Sequence, residues 1–170
     1  MGEVITFTSG KGGVGKTTTT ANVGAGLSLL DKKVVLVDTD IGLRNLDVVM
    51  GLENRILYNL VDVLSGRCRA KQAIIRDKRF PNLSVIPSSC TKEKILLDSD
   101  QMKHLLDDLR QEFDYILVDS PAGIDQGFLL AITGADRIVV VTTPQIAAIH
   151  DADCVLQILK THYTVKTELL

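Results

Sequence analysis

One octapeptide, Gly10-Lys11-Gly12-Gly13-Val14-Gly15-Lys16-Thr17, constrains this chain more than any other stretch. It fits the G-x-x-x-x-G-K-T pattern of a phosphate-binding loop. It also sits in the context that pattern requires, between a strand-like run, Val4–Thr8, and a helix-forming segment from Thr17 to Leu30. Glycines in such a loop let backbone N–H groups turn toward phosphate oxygens, and a helix beginning near Lys16 adds the positive end of its dipole. Lys16 can then reach the outer phosphates, Thr17 can ligate magnesium, and Thr18 extends the cradle. ATP with magnesium is the expected ligand pair.

The rest of the chain repeats the alternation of strand and helix. Val34–Val37 is an apolar run short enough for a strand buried on both faces. Leu83–Ile86, Tyr115–Val118 and Arg137–Thr142 read as further strands, and Thr164–Leu170 begins another. Helices are expected over Tyr58–Leu64, over the stripe Met102, Leu105, Leu106, Leu109 and Phe113 with Ser99 or Asp100 as its cap, and over Gln126–Ala135 and Ala147–Leu159. The pattern predicts an α/β fold of the P-loop NTPase kind, a mostly parallel sheet flanked by helices on both faces, with ligands at the carboxyl ends of the strands. Residues 1–170 read as a single domain.

Two further groups of residues belong with the loop. Asp38-Thr39-Asp40 follows the second buried strand and puts two carboxylates at the sheet edge, a pair suited to a magnesium-bound water and the attacking water. Ile116-Leu117-Val118-Asp119 ends in the carboxylate of a Walker B strand, where Asp119 can hold magnesium through water. The bend Ser120-Pro121-Ala122-Gly123 that follows can sense the terminal phosphate.

Lys11 is a second lysine inside the loop, which an ordinary phosphate loop does not require. The run Lys-Gly-Gly-Val-Gly-Lys-Thr resembles the deviant Walker A of the MinD/ParA ATPases. The stretch from Asp40 to Glu53 resembles the first switch region of the MinD branch, and Ser120–Ile124 its second. Pro144–Asp153, with His150, Asp151 and Asp153, is similar to a segment at that branch's dimer and partner surface.

The resemblance implies a cell-division regulator that hydrolyses ATP, with Lys11, Lys16, Asp38 and Asp40 in catalysis and Lys11 reaching a partner subunit's nucleotide. It implies an ATP-dependent homodimer, MinC and MinE as partners, and a cytoplasmic protein that cycles on and off the inner face of the cell membrane. It further implies that the C-terminal part of the family domain, with its membrane-binding helix, lies outside these residues. A ParA-type DNA or plasmid partition ATPase and another MinD-like positioning ATPase are the alternatives.

Composition bears on these choices. Nineteen basic and 21 acidic residues leave a formal charge of −2, so no overall cationic field draws the chain to nucleic acid, and none is expected as a partner. Cys68, Cys90 and Cys154 are far apart and fit neither a zinc pattern nor a disulfide framework, which argues against an iron-sulfur role and for a reducing compartment. No apolar run approaches the roughly 20 residues that span a bilayer.

Overall fold

The computed structural model describes residues 1–43, 45–90 and 98–170. Seven strands among these form one sheet: β1 (Glu3–Thr8), β2 (Val34–Asp38), β3 (Ile75–Arg76), β4 (Leu83–Ile86), β5 (Tyr115–Asp119), β6 (Arg137–Val140) and β7 (Lys166–Leu169). Their order is β3-β4-β2-β5-β1-β6-β7, and every pairing is parallel except that of β3 with β4. The expected sheet is therefore present, with one short antiparallel edge strand that two residues were too few to announce.

The apolar runs are continuous because both faces are covered. On β2, Val35 and Val37 face one core cluster with Ile116 and Val118 of β5, while Val34 and Leu36 face another with Leu117. The first cluster packs on α3 (Leu60–Leu64), α5 (Ser99–Leu109) and α6 (Gln126–Ile132). The second packs on α1 (Lys16–Leu29) and α2 (Leu46–Met50). A third joins β6 to α6 and to α7 (Ile146–His162). A short α4 (Ala70–Ala73) and a single 3-10 turn at Glu53–Arg55 are the other helical elements among the described residues. Thr6 turns its hydroxyl into this interior and donates to the Ala131 carbonyl at 2.7 Å, satisfying a polar group that burial would otherwise penalise.

Several boundaries differ from expectation for local reasons. Asp98, not Ser99 or Asp100, caps α5: it is extended (φ −85°, ψ 128°) and its carboxylate accepts from the Asp100 amide at 3.0 Å. α3 begins at Leu60 because Asn59 and Asp62 form a reciprocal capping box there. α2 has no counterpart in the sequence reading, since five residues cannot display a helical period.

The register of three strands then positions the site. Asp38 pairs with Asp119, and Asp119 with Phe7, so the ends of β2, β5 and β1 lie side by side. The phosphate loop leaves β1 at the same edge.

Candidate functional site

The loop departs from the sheet through two backbone conformations that favour glycine. Gly13 (φ 80°) and Gly15 (φ 94°) are left-handed, and a Cβ on either would meet nothing, so the need is conformational and not spatial. Gly10 has the opposite reason: a Cβ there would collide with the Asp151 backbone carbonyl, because α7 runs directly against the loop. α1 starts at Lys16 with no side-chain cap and no acidic residue in its first turn. Its first amides therefore have no intrahelical acceptor and are available to an anion.

A cavity of about 800 Å³ opens in front of these amides, lined by Ser9, Gly12, Gly13, Gly15, Lys16, Thr17, Thr18 and Asp40, with Leu43, Asn45, Val48 and Val49 on one side and Pro121 and Ala122 on the other. A hollow of similar volume, about 810 Å³, lies between α3, α4 and α5. Volume does not choose between them. The first presents a glycine-rich turn, a helix start and a lysine, the equipment for a phosphate group, whereas Val63, Leu64, Leu105 and Leu109 floor the second.

Lys16 is buried and its Nζ lies 3.0 Å from Asp119 Oδ1. Thr20 donates to the Lys16 carbonyl at 3.0 Å and stands 3.5 Å from the same Asp119 oxygen. The other oxygen of that carboxylate, Asp119 Oδ2, is buried without a hydrogen-bond partner among the described residues. A lone buried carboxylate oxygen costs on the order of 1–3 kcal/mol unless something bonds to it. A magnesium-bound water is such a partner, so the residues present fit that ion. Among the described residues no three His, Cys, Asp or Glu side chains converge. A metal here would keep several waters, as magnesium does.

Asp38 is wholly buried. Its Oδ1 accepts from the Asp40 amide at 2.9 Å and its Oδ2 from the Leu46 amide at 3.3 Å, so one carboxylate holds both ends of the segment that enters α2. Burial pushes its carboxyl up to about 7, with Asp119 and Asp40 adding negative charge nearby; the two amides work against the rise. Thr39 secures the segment to β5, its amide and hydroxyl both donating to the Asp119 carbonyl at 3.0 and 2.7 Å. The bend after β5 is tied to the loop by the Gly123 amide donating to the Ser9 carbonyl at 3.0 Å.

The structure thus brings Gly12, Gly13, Gly15, Lys16, Thr17, Thr18 and Asp40 to one cavity, with Asp119 behind Lys16. Gly10, Lys11, Val14 and Asp38 do not line it. Lys11 is exposed, and Val14 packs toward the core. Arg44, inside the first switch stretch, lies outside the described residues. Sequence reasoning placed Leu43, Asn45, Val48 and Val49 within the first switch stretch but did not assign them to a cavity wall; the available signal for the short helix that carries Val48 and Val49 was Gly51, which ends α2 in a left-handed conformation (φ 65°).

Residues 2–169 match the family described as an AAA domain. The septum site-determining protein MinD of Bacillus subtilis is 57% identical over 161 residues, which cover 94% of this chain and 60% of that protein. The MinC:MinD cell division protein complex of Aquifex aeolicus contains a chain 44% identical, with a TM-score of 0.88 over 98% of this chain and 67% of that one. The septum site-determining protein MinD of Pyrococcus horikoshii, complexed with Mg-ADP, is 32% identical with a TM-score of 0.88, covering 98% of this chain and 68% of the other. The chain spans about three-fifths of the length of the first curated relatives it matches. It belongs to the MinD family of P-loop proteins.

Proposed function

We propose that this MinD-family chain is the nucleotide-binding part of a septum-site-determining ATPase that binds ATP with magnesium, hydrolyses it, dimerises while ATP is bound and cycles on and off the membrane. The observation that carries the reading is the Lys16–Asp119 pair with its unbonded carboxylate oxygen, set behind an uncapped helix start. Two related proteins support it, one solved in complex with Mg-ADP and one in a MinC:MinD complex.

On this reading the amides of Gly12 through Thr17 take the phosphates, and Lys16 leaves Asp119 for the outer phosphate oxygens. Thr17, Asp40 and Asp119 would hold magnesium, which supplies neutralising charge on the phosphates. Asp38 is assigned to the attacking water. Its two amide bonds keep it out of the cavity, so that role requires residues 38–46 to rearrange when phosphate is present. Lys11, exposed on the loop, is assigned to the nucleotide of a second subunit. MinC, MinE and the membrane surface are the proposed partners of the full-length protein.

The test is phosphate release and nucleotide titration on the full-length protein with magnesium, beside light scattering for association and sedimentation with anionic vesicles. Magnesium-dependent phosphate release and ATP-dependent association are expected. A full-length protein that binds neither ATP nor ADP with magnesium sinks the proposal outright; binding without phosphate release reduces it to a nucleotide-gated scaffold.

A further inference from the structure

α2 is a single turn and a half, too short to hold its shape by its own hydrogen bonds. Its position is decided from outside. Leu46 and Met50 are buried in the cluster that packs on α1, and the Asp38 carboxylate accepts from the Leu46 amide at its start. Its outward residues, Val48 and Val49, are 61% and 47% exposed and form part of the nucleotide cavity's wall.

The far end of α2 is held by Arg79, which neither the phosphate loop nor either switch motif contains. Arg79 Nη2 donates to the Met50 carbonyl at 2.7 Å, one of the last-turn carbonyls that a helix cannot satisfy itself. A guanidinium there also meets the negative end of the helix. The side chain is aimed by Asp77, a buried carboxylate that accepts from Arg79 Nη2 at 2.9 Å, Nε at 3.2 Å, and the Arg79 and Phe80 amides at 2.7 and 3.2 Å. Burial works to raise the Asp77 carboxyl, but these bonds and the guanidinium charge outweigh it and hold it below the usual carboxylate range. The guanidinium carbon stands 5.6 Å from the Phe80 ring centroid, and Phe80 packs against the cluster containing Leu46 and Met50.

We propose that Arg79 is a positioning residue for the nucleotide cavity, fixing the carboxyl end of α2 so that Val48 and Val49 stand where a bound nucleotide, or a second subunit closing over it, meets them. This deepens the reading given under Proposed function and rests on it. Arg79 itself is 58% exposed in its side chain, so the core does not need it for burial. What it supplies is alignment: with Asp38 at one end and Arg79 at the other, α2 is clamped between β2 and the β3–β4 hairpin. A cation at 79 thereby acts on a pocket it does not line.

The experiment measures Mg-ADP affinity and thermal midpoint in the full-length protein and in Arg79→Ala and Arg79→Lys, each also made in a background carrying Val48→Ala and Val49→Ala. In the parent background Arg79→Ala should weaken Mg-ADP binding about fivefold to tenfold, less than the full worth of one charge-assisted hydrogen bond because Arg79 acts through α2 and not on the ligand, with Arg79→Lys recovering part of it. In the truncated-wall background the same substitution should change affinity less than twofold, because the wall it positions is gone. Unchanged affinity in Arg79→Ala overturns the proposal, as does an equal loss in both backgrounds, which would mean general destabilisation. A parent protein that binds no Mg-ADP instead overturns the nucleotide-binding reading, and this inference with it.

Discussion

The two ends of the sheet treat their polar groups in opposite ways. At the amino ends of the strands the charged side chains are tied into a network, though Ser28 Oγ is buried without a partner among the described residues. Arg110 donates to the Gly2 carbonyl at 2.7 Å, the Gly134 carbonyl at 2.9 Å and Asp136 at 2.6 Å, and Asp136 also accepts from the Val4 amide at 2.8 Å. Arg137 pairs with Glu3 and Glu168, though its buried Nε stays unbonded. At the carboxyl ends Thr8 Oγ1, Ser88 Oγ and Asp119 Oδ2 are buried without partners among the described residues, and Gly13 and Gly15 of the loop are left-handed. A fold that ties up its charges at one end and leaves a buried carboxylate oxygen unmatched at the other has stability at the first and room for a ligand at the second.

The sharpest way to break that contrast is Lys16→Ala. It should lower affinity for magnesium nucleotides by about a hundredfold or more, since phosphate charge then goes unanswered within the subunit. Lys11→Ala should bind nucleotide as the parent does but fail to associate with ATP. Titration separates the two lysines from one another, and light scattering reads the association. Equal losses of nucleotide in both variants would replace the two-lysine assignment with an ordinary phosphate loop.

Next in size is Asp119→Asn. Magnesium should raise nucleotide affinity in the parent and do so about tenfold less in the variant, while the circular dichroism spectrum is unchanged. If Asp119→Asn unfolds, the carboxylate belongs to the stability of the sheet, and the contrast between the ends fails at its central residue.

The amino end should respond in the other currency, stability without binding. Arg110→Ala removes three hydrogen bonds from a side chain only 13% exposed and should cost about 2–3 kcal/mol in chemical denaturation, with Mg-ADP affinity unchanged. A shift in that affinity would show the two ends to be coupled.

The smallest effect concerns pH. Burial acts to raise the Asp136 carboxyl, but the Arg110 hydrogen bond, the Val4 amide and the guanidinium charge outweigh it and hold it low. A depressed carboxyl contributes stability above its unfolded value, near pH 4, and loses it as pH falls through the lower folded value. Asp136→Asn should flatten the acid limb of the stability curve by about 1 kcal/mol or less, because the group is 44% exposed and solvent screens it. An acid limb as steep as the parent's would assign the acid sensitivity to other carboxylates.

Much of this was legible before any coordinates. The loop sequence, the apolar runs that end in Asp38 and Asp119, and the spacing between them determined a parallel α/β sheet with its ligand edge at the carboxyl ends. Those signals survive in one dimension because they are local: a strand buried on both faces must be apolar throughout, and a left-handed turn favours glycine. α2 and β3 escaped because five and two residues carry no period. Only the tertiary structure decided that Asp38 spends both oxygens on the Asp40 and Leu46 amides, that Lys16 covers Asp119, and that Arg79 reaches Met50 across 29 residues of chain. Each of these is a contact between residues whose separation in sequence says nothing of their distance, and which atom of a carboxylate remains unbonded is settled by packing alone.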